Sequence, residues 1–476
     1  MIYDLVIIGA GPGGLALAHC CSYLKLNILV IDRESSIGGC HRVRRVKVND
    51  EYLITEHGPR IYINNFLNFI MLINDMGYKF DDLFIKSKIQ TIDIIRQLLL
   101  PSLTIKEGFN ISYNYLKFIL NNNYGKNITM KEYMNYNNFS EKTFDILDRM
   151  CITTDGSDSS KYTLNHFFEL TNQNTLYSIY QPNKPNDIGL FKIWKEFLEK
   201  RNVKFILNTE IINIDNNYII TNNNDKIFGN KFIFAIPPTN LNNLLNKLSP
   251  PYNNLFGDIN KLSKWSENNK YSTYISITYH WNIKLNLPKK IPIAYGSWYV
   301  INIVLTDYMT FNEKTSQTVI SCAIAKNDTI NPKINKTANQ CSKEELIKET
   351  FNILYEIYDN NLPPYTQSLI SSGNFYENNK WNDIDNSFIL NDGYNLNYQS
   401  NIYNNFYNLG IHNGNSNYKL TTIESTIENA INLSHIFYPE LKKVYKLKKM
   451  IELNYIFILI LTILIIILYI KYLKIL

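Results

Sequence analysis

Tyr3-Asp4-Leu5-Val6-Ile7-Ile8-Gly9-Ala10-Gly11-Pro12-Gly13-Gly14-Leu15 is the stretch that decides the fold. Its apolar run reads as a buried parallel strand, the glycines turn the chain, and Leu15 to Leu24 continues as a helix. Each glycine of the pattern has its own task. Gly9 allows the tight turn, Gly11 lets the backbone approach a pyrophosphate, and Gly14 lets helix and strand pack closely. The free amides of the helix start, in a loop completed by Ala10, Pro12 and Gly13, carry the positive end of the helix dipole toward the phosphates. A second apolar strand, Asn27 to Ile31, ends in Asp32, about 20 residues beyond the glycines, where a ribose ligand belongs. Strand, glycine turn, helix, strand and acid in this order point to a dinucleotide site of Rossmann type.

The chain of 476 residues has room for two or three domains. Its 48 basic and 42 acidic residues leave a net charge of +6, much of it near the carboxyl end. Without an aromatic-interleaved basic stripe, nucleic acid is not an expected partner. The six cysteines include no CxxC pair and no zinc spacing, so reduced thiols and no metal are expected. No basic leader precedes the first strand, so no signal peptide is expected. Tyr455 to Ile470 contains no charge. At 1.5 Å per residue the run is slightly short for a hydrocarbon core of about 30 Å, and Lys471 and Lys474 extend it by snorkelling. Lys442, Lys443, Lys446, Lys448 and Lys449 lie just upstream. They predict a single-pass tail anchor over 455–472 with the body facing the cytosol.

Downstream of Asp32 runs Arg33-Glu34-Ser35-Ser36-Ile37-Gly38-Gly39-Cys40-His41-Arg42. An acid followed six positions later by Gly-Gly resembles the second motif of the flavin-dependent amine oxidase superfamily, which includes protoporphyrinogen oxidases and phytoene desaturases. The resemblance implies Asp32, with Arg33 beside it, at the adenosine ribose, and Gly38-Gly39 along the pyrophosphate. Cys40 stands where the superfamily places Arg, and Arg42 or Arg44 is the candidate to restore the charge. Cys40 itself is either a reactive thiol lowered by these cations or a packing residue. The segment Tyr52 to Tyr62 holds Gly58-Pro59-Arg60, which is similar to protoporphyrinogen oxidases and, more loosely, to UDP-galactopyranose mutases. There Gly58 and Pro59 run close under the isoalloxazine ring. Arg60 faces an acidic substrate group, to which its fork of donors is suited, or contacts the pyrophosphate, or is a surface residue.

The pattern returns at Gly189 with a helical face, a strand at Val203 to Leu207, and Ile211 at the position that meets the adenine. Lys231 to Pro238 matches the apolar strand that ends in prolines. Strands at Tyr271 to Trp281, around Ile291 to Tyr295, at Trp298 to Leu305 and at Thr318 to Ala325 read as an antiparallel sheet. Near the end, Tyr407-Asn408-Leu409-Gly410-Ile411 resembles the superfamily strand ending in Gly-acid, with Ile411 in the acid's place. Thr421 or Thr422 is a good N-cap for the next helix. The resemblance sets that start, Thr422 and Ile423, against the flavin pyrimidine, where its amides stabilise charge on the reduced ring.

The expected fold is α/β: a Rossmann-like FAD-binding domain with an inserted α+β substrate domain and a C-terminal transmembrane helix. The FAD-binding parts fall at 1–80, 189–240 and 400–440, a cap region at 81–188, and the substrate domain at 241–399. The expected activity is hydride transfer from a C–N or C–C bond of a small or lipophilic substrate to FAD, with oxygen as reoxidant. One dinucleotide fingerprint leaves no separate NADPH domain. A redox-neutral mutase and a non-catalytic FAD-binding membrane protein are the alternatives.

Overall fold

The computed structural model describes residues 1–56, 58, 60–268, 270–385, 387–389 and 395–473. Its first strand is Ile2–Ile8, and helix α1, Pro12–Ser22, follows after the glycine turn. Pro12 takes the first helical position, where an amide is unpaired in any helix and the fixed φ of the ring suits the turn.

Strands from distant stretches share one sheet. Its order is Lys204–Ile206, Ile28–Ile31, Ile2–Ile8, Lys226–Phe234, Tyr218–Thr221, Ile211–Asp215, with Phe406–Asn408 pairing the end of Lys226–Phe234. The first strand is parallel to both neighbours, with Leu5 opposite Ile28 and Lys231. Leu5, Ile7, Ile28 and Val30 enter one core and Val6, Ile8, Leu29 and Ile31 the other. A pleated strand sends successive side chains to opposite faces, so a strand covered on both sides has to be apolar throughout. That is the reason Leu5 to Ile8 is unbroken, and a charge at Val6 or Ile7 would be buried without a partner.

Helix α2, Leu67–Asp75, packs on the first of these cores through Phe69 and Leu72. The cap region contains more helix than expected: α3 at Ile105–Leu120, then Glu141–Asp155 and Leu164–Asn174. Thr104, Ser140 and Thr163 each accept an amide of the first turn and fix these starts. The second sheet is antiparallel, in order Val300–Val304, Thr318–Ile324, Ile275–Trp281, Gln367–Ile370, and helix Lys343–Ile357 covers it with Leu346 and Leu354. The strand expected around Ile291 to Tyr295 does not form. Pro292 cannot donate to a ladder, and Tyr295 makes only a single bridge to Val300.

Helix α4, Ile423–Phe437, lies beside α1 and carries Ile427 and Ile431 into the same core. The lysine-bearing segment after it is docked on the body and does not behave as a free linker. The Tyr445 hydroxyl donates to Asp75 at 2.8 Å, Lys448 N donates to Asn68 Oδ1 at 2.8 Å, and Ile451 N donates to the Tyr177 hydroxyl at 2.9 Å. Helix α5, Leu453–Leu473, then leaves the body. Among the described residues no helix is long and apolar enough to cross a membrane. The span expected over 455–472 is therefore not met by them. The side chains of residues 461 and 468–473 lie outside the described ones, and the stretch that remains is short against a core of about 30 Å.

Candidate functional site

The glycine loop is shaped by what stands behind it. Gly9 has φ +111°, and a Cβ there would lie 2.3 Å from the Ala235 carbonyl oxygen. A Cβ on Gly14 would lie 2.0 Å from Gly9 O, and one on Gly13 2.8 Å from Thr426 of α4. Gly11 differs. A Cβ there would meet only Gly39 Cα, at 3.7 Å, so the protein itself leaves the space in front of Gly11 open. Gly38 and Gly39 close the other side, with φ +119° and +57° and Gly38 N donating to Ala10 O at 2.8 Å.

Asp32 braces this loop. Its carboxylate accepts from Ala10 N at 2.7 Å and Glu34 N at 2.9 Å. Burial raises its pKa, against the pull of Arg42 and the two amides. Arg42 was the candidate for the charge missing at Cys40, but its guanidinium is engaged inside the protein. It is 5 % exposed, donates to Ser36 O at 2.8 Å and pairs with Asp385 at 2.9 Å. Arg44 pairs with the other oxygen of Asp385 at 2.7 Å and with Glu34 at 3.1 Å. These bonds clamp the loop domain to a segment some 340 positions away in the chain. Arg33 is largely exposed, 3.6 Å from Glu34. Cys40 is not a lowered thiol: burial pushes it up and outweighs Arg60 and Arg42.

Beside the loop lies a cavity of about 750 Å³, walled by residues between 87 and 181, by the second sheet with its flanking loops, and by the part of the chain that carries the parallel sheet. Cys40, Arg60, Thr422 and Ile423 are among its lining residues, so the structure brings these predicted positions together, with His41, which was not predicted, beside them. Thr422 caps α4, its hydroxyl accepting from Ser425 N at 3.4 Å, and so turns the amide-rich start of that helix toward the cavity. Gly58 packs against the second sheet, where a Cβ would lie 3.4 Å from that of Ala323. Pro59 lies outside the described residues. Gly410 and Ile211 do not line the cavity. Gly410 has an extended backbone and donates to Asn413 Oδ1 at 2.8 Å, while Ile211 sits in the second core with Leu29 and Ile31.

Arg60 is buried, and its Nη2 has no hydrogen-bond partner among the described residues. Gln181 holds its backbone, donating to Arg60 O at 2.6 Å. A buried guanidinium with a free donor at a cavity wall is suited to a carboxylate or phosphate oxygen. Glu56, which the motifs did not mark, is buried as well, and its Oε1 has no hydrogen-bond partner among the described residues. Burial raises its carboxyl from 4.5 to about 7, opposed by Arg60 and reinforced by Asp187. Its position two residues before Gly58 was the available signal. Glu424 lies in the first turn of α4. In the structure it also caps α2, accepting from Asn68 N and Phe69 N at 2.9 Å each. Burial pushes its carboxyl up to about 8 against those amides.

Residues 7–73 match the family described as NAD(P)-binding Rossmann-like domain. No curated protein matches the chain. Solved structures similar to it include an oxidoreductase from Methanosarcina mazei, with TM-score 0.60 and 12 % identity over 90 % of this chain and 99 % of that one. Cyclohexylamine oxidase from Brevibacterium oxydans gives TM-score 0.58 and 10 % identity over 93 % and 100 % of the two chains. A candidate protoporphyrinogen oxidase from Exiguobacterium sp. 255-15 gives 0.52 and 16 % over 92 % and 99 %. The chain thus has the Rossmann-like α/β fold of amine-oxidase-type structures over almost its whole length, as the motifs implied.

Proposed function

We propose that the chain is an FAD-dependent oxidoreductase that takes hydride from a C–N or C–C bond of a small or lipophilic substrate and is reoxidised by oxygen. The observation that carries this reading is the space in front of Gly11. It lies at the head of α1, next to Gly38-Gly39, and one residue from the cavity wall at Cys40. A pyrophosphate fits there, with Asp32 and Arg33 toward the ribose and Ile211 toward the adenine. The flavin, when bound, accepts the hydride. The protein orients the substrate in the cavity, holds its acidic group with Arg60, and presents the α4 amides at Thr422 and Ile423 to developing negative charge. Oxidoreductases and an amine oxidase among the similar structures support the same class of chemistry.

The reading includes membrane attachment through α5. Its sequence from Tyr455 to Ile470 is uncharged, and Leu459, Ile463, Leu464 and Ile465 are exposed apolar side chains. The test uses the full chain purified in detergent. A flavin absorbance spectrum that bleaches anaerobically with an amine, a porphyrinogen or another reduced substrate, and returns with air, is expected. A colourless protein that cannot be reconstituted with FAD overturns the reading.

A further inference from the structure

Helix α3 has two apolar faces, and only one is packed. Phe118 and Asn114 are buried, and Glu107 accepts from Ser140 N at 2.5 Å and from Thr143 Oγ1 at 3.0 Å, fixing that side to helix Glu141–Asp155. On the other side Ile105, Phe109, Tyr113, Leu116 and Leu120 recur at helical spacing and fall within one stripe. All five are exposed, Ile105 to 94 %, Phe109 to 74 % and Leu120 to 86 %. A run of large apolar side chains this exposed is not a packing surface for anything among the described residues. Lys106 and Lys117 lie along one edge of the stripe, and Lys117 Nζ lies 4.4 Å from the centre of the Tyr113 ring. An apolar stripe edged by cations is the pattern of a helix lying in a membrane interface, with lysine stems along the apolar surface and their charges toward headgroups.

The position of α3 identifies the occupant. The Tyr115 ring lies 6.2 Å from that of Phe457 on α5, so the two helices are neighbours. The foot of α5 is tied to the body. Glu452 accepts from Asn172 and Gln173 at 3.1 Å, and Asn454 N donates to Asn172 Oδ1 at 2.9 Å. With its foot held, α5 keeps Phe457 beside Tyr115 of α3. Leu116 and Phe457 both line the cavity and are both exposed, so its mouth opens between the two helices.

We propose that the Ile105–Leu120 stripe is a second membrane contact, lying flat in the headgroup boundary of the bilayer that α5 enters. The proposal rests on the attachment of α5 put forward above. Its test is full-length protein reconstituted in phosphatidylcholine–phosphatidylglycerol vesicles carrying nitroxide lipids. A fluorophore is placed in turn at Phe109→Cys, Leu120→Cys, Ile460→Cys and, as a remote exposed control, Glu377→Cys, with wild type labelled for background. Shallow nitroxides should quench the probes at 109 and 120 several-fold more than the control. Quenching at 460 with none above control at 109 and 120 overturns the second contact and leaves the α5 attachment standing. Quenching at 109 and 120 with none at 460 supports the interfacial helix and overturns insertion of α5. Probes at 109 and 120 that escape lipid but cross-link between copies show a protein partner on the stripe and overturn the proposal.

Discussion

Glu56 gives the sharpest quantitative test of the site. Its carboxyl is 2 % exposed and is raised from 4.5 to about 7 by burial, against Arg60 and with Asp187. The folded protein therefore keeps a proton that the unfolded chain releases between these two values. The stabilisation is fully present below pH 4.5 and is lost as pH rises through 7. At about 1.36 kcal/mol per pH unit the whole loss is roughly 3 kcal/mol, of which about 2.5 kcal/mol falls between pH 5 and pH 8. Glu56→Gln keeps the volume and cannot ionise. Urea unfolding of both proteins at the two pH values isolates the carboxyl, because the other titrating groups cancel in the difference. The variant should gain on wild type by about 2.5 kcal/mol on going from pH 5 to pH 8. A difference that stays constant across that range refutes the assignment of Glu56 as a buried, near-neutral acid.

The other predictions follow from named contacts. Gly11→Ala should fold with unchanged stability but bind FAD at least about tenfold more weakly, measured by flavin fluorescence on titration, because its Cβ meets only the ligand's space. Gly14→Ala, with its Cβ 2.0 Å from a carbonyl oxygen, should lose stability instead, seen as a lowered melting temperature before any flavin is added. Above pH 8, where the Glu424 carboxyl is ionised, Glu424→Gln should cost about 1–3 kcal/mol in denaturant unfolding, since one of the two α2 amides loses its carboxylate acceptor. Asp385→Ala leaves the buried Arg42 without its closest carboxylate and should cost about 3 kcal/mol, with Asp385→Asn recovering part of it.

What was legible in the sequence was what short-range physics writes into it. The unbroken run Leu5 to Ile8, the glycines after it and the acid at the end of the next strand each answer to a local requirement, and the sheet places them as read. Thr422 was legible for the same reason, since a cap is a three-residue event. The engagement of Arg42 was not legible because its partner, Asp385, is 343 positions away and nothing local marks the pair. The Ile291 to Tyr295 strand failed on a local fact that was available, a proline within the run. Glu56 was passed over because its significance comes from burial, and burial is decided by the second sheet folding over the end of its strand.

The carboxyl-terminal segment shows how far contacts between distant residues reach. Five lysines between 442 and 449 suggest a solvated linker, yet the docking runs through groups that a charge count ignores. These are a tyrosine hydroxyl on Asp75, a backbone amide on Asn68, and another on Tyr177, 274 to 380 positions distant. A free linker would let the body tumble beside a membrane, and the direction in which the cavity opens would then carry no information. A docked one fixes α5 against α3, and the mouth between Leu116 and Phe457 then opens at whatever level those helices occupy. If both helices sit on lipid, an apolar substrate dissolved in the bilayer reaches Arg60 and the head of α4 without first entering water. The specificity of the site is then set as much by where the body is held as by what lines the cavity.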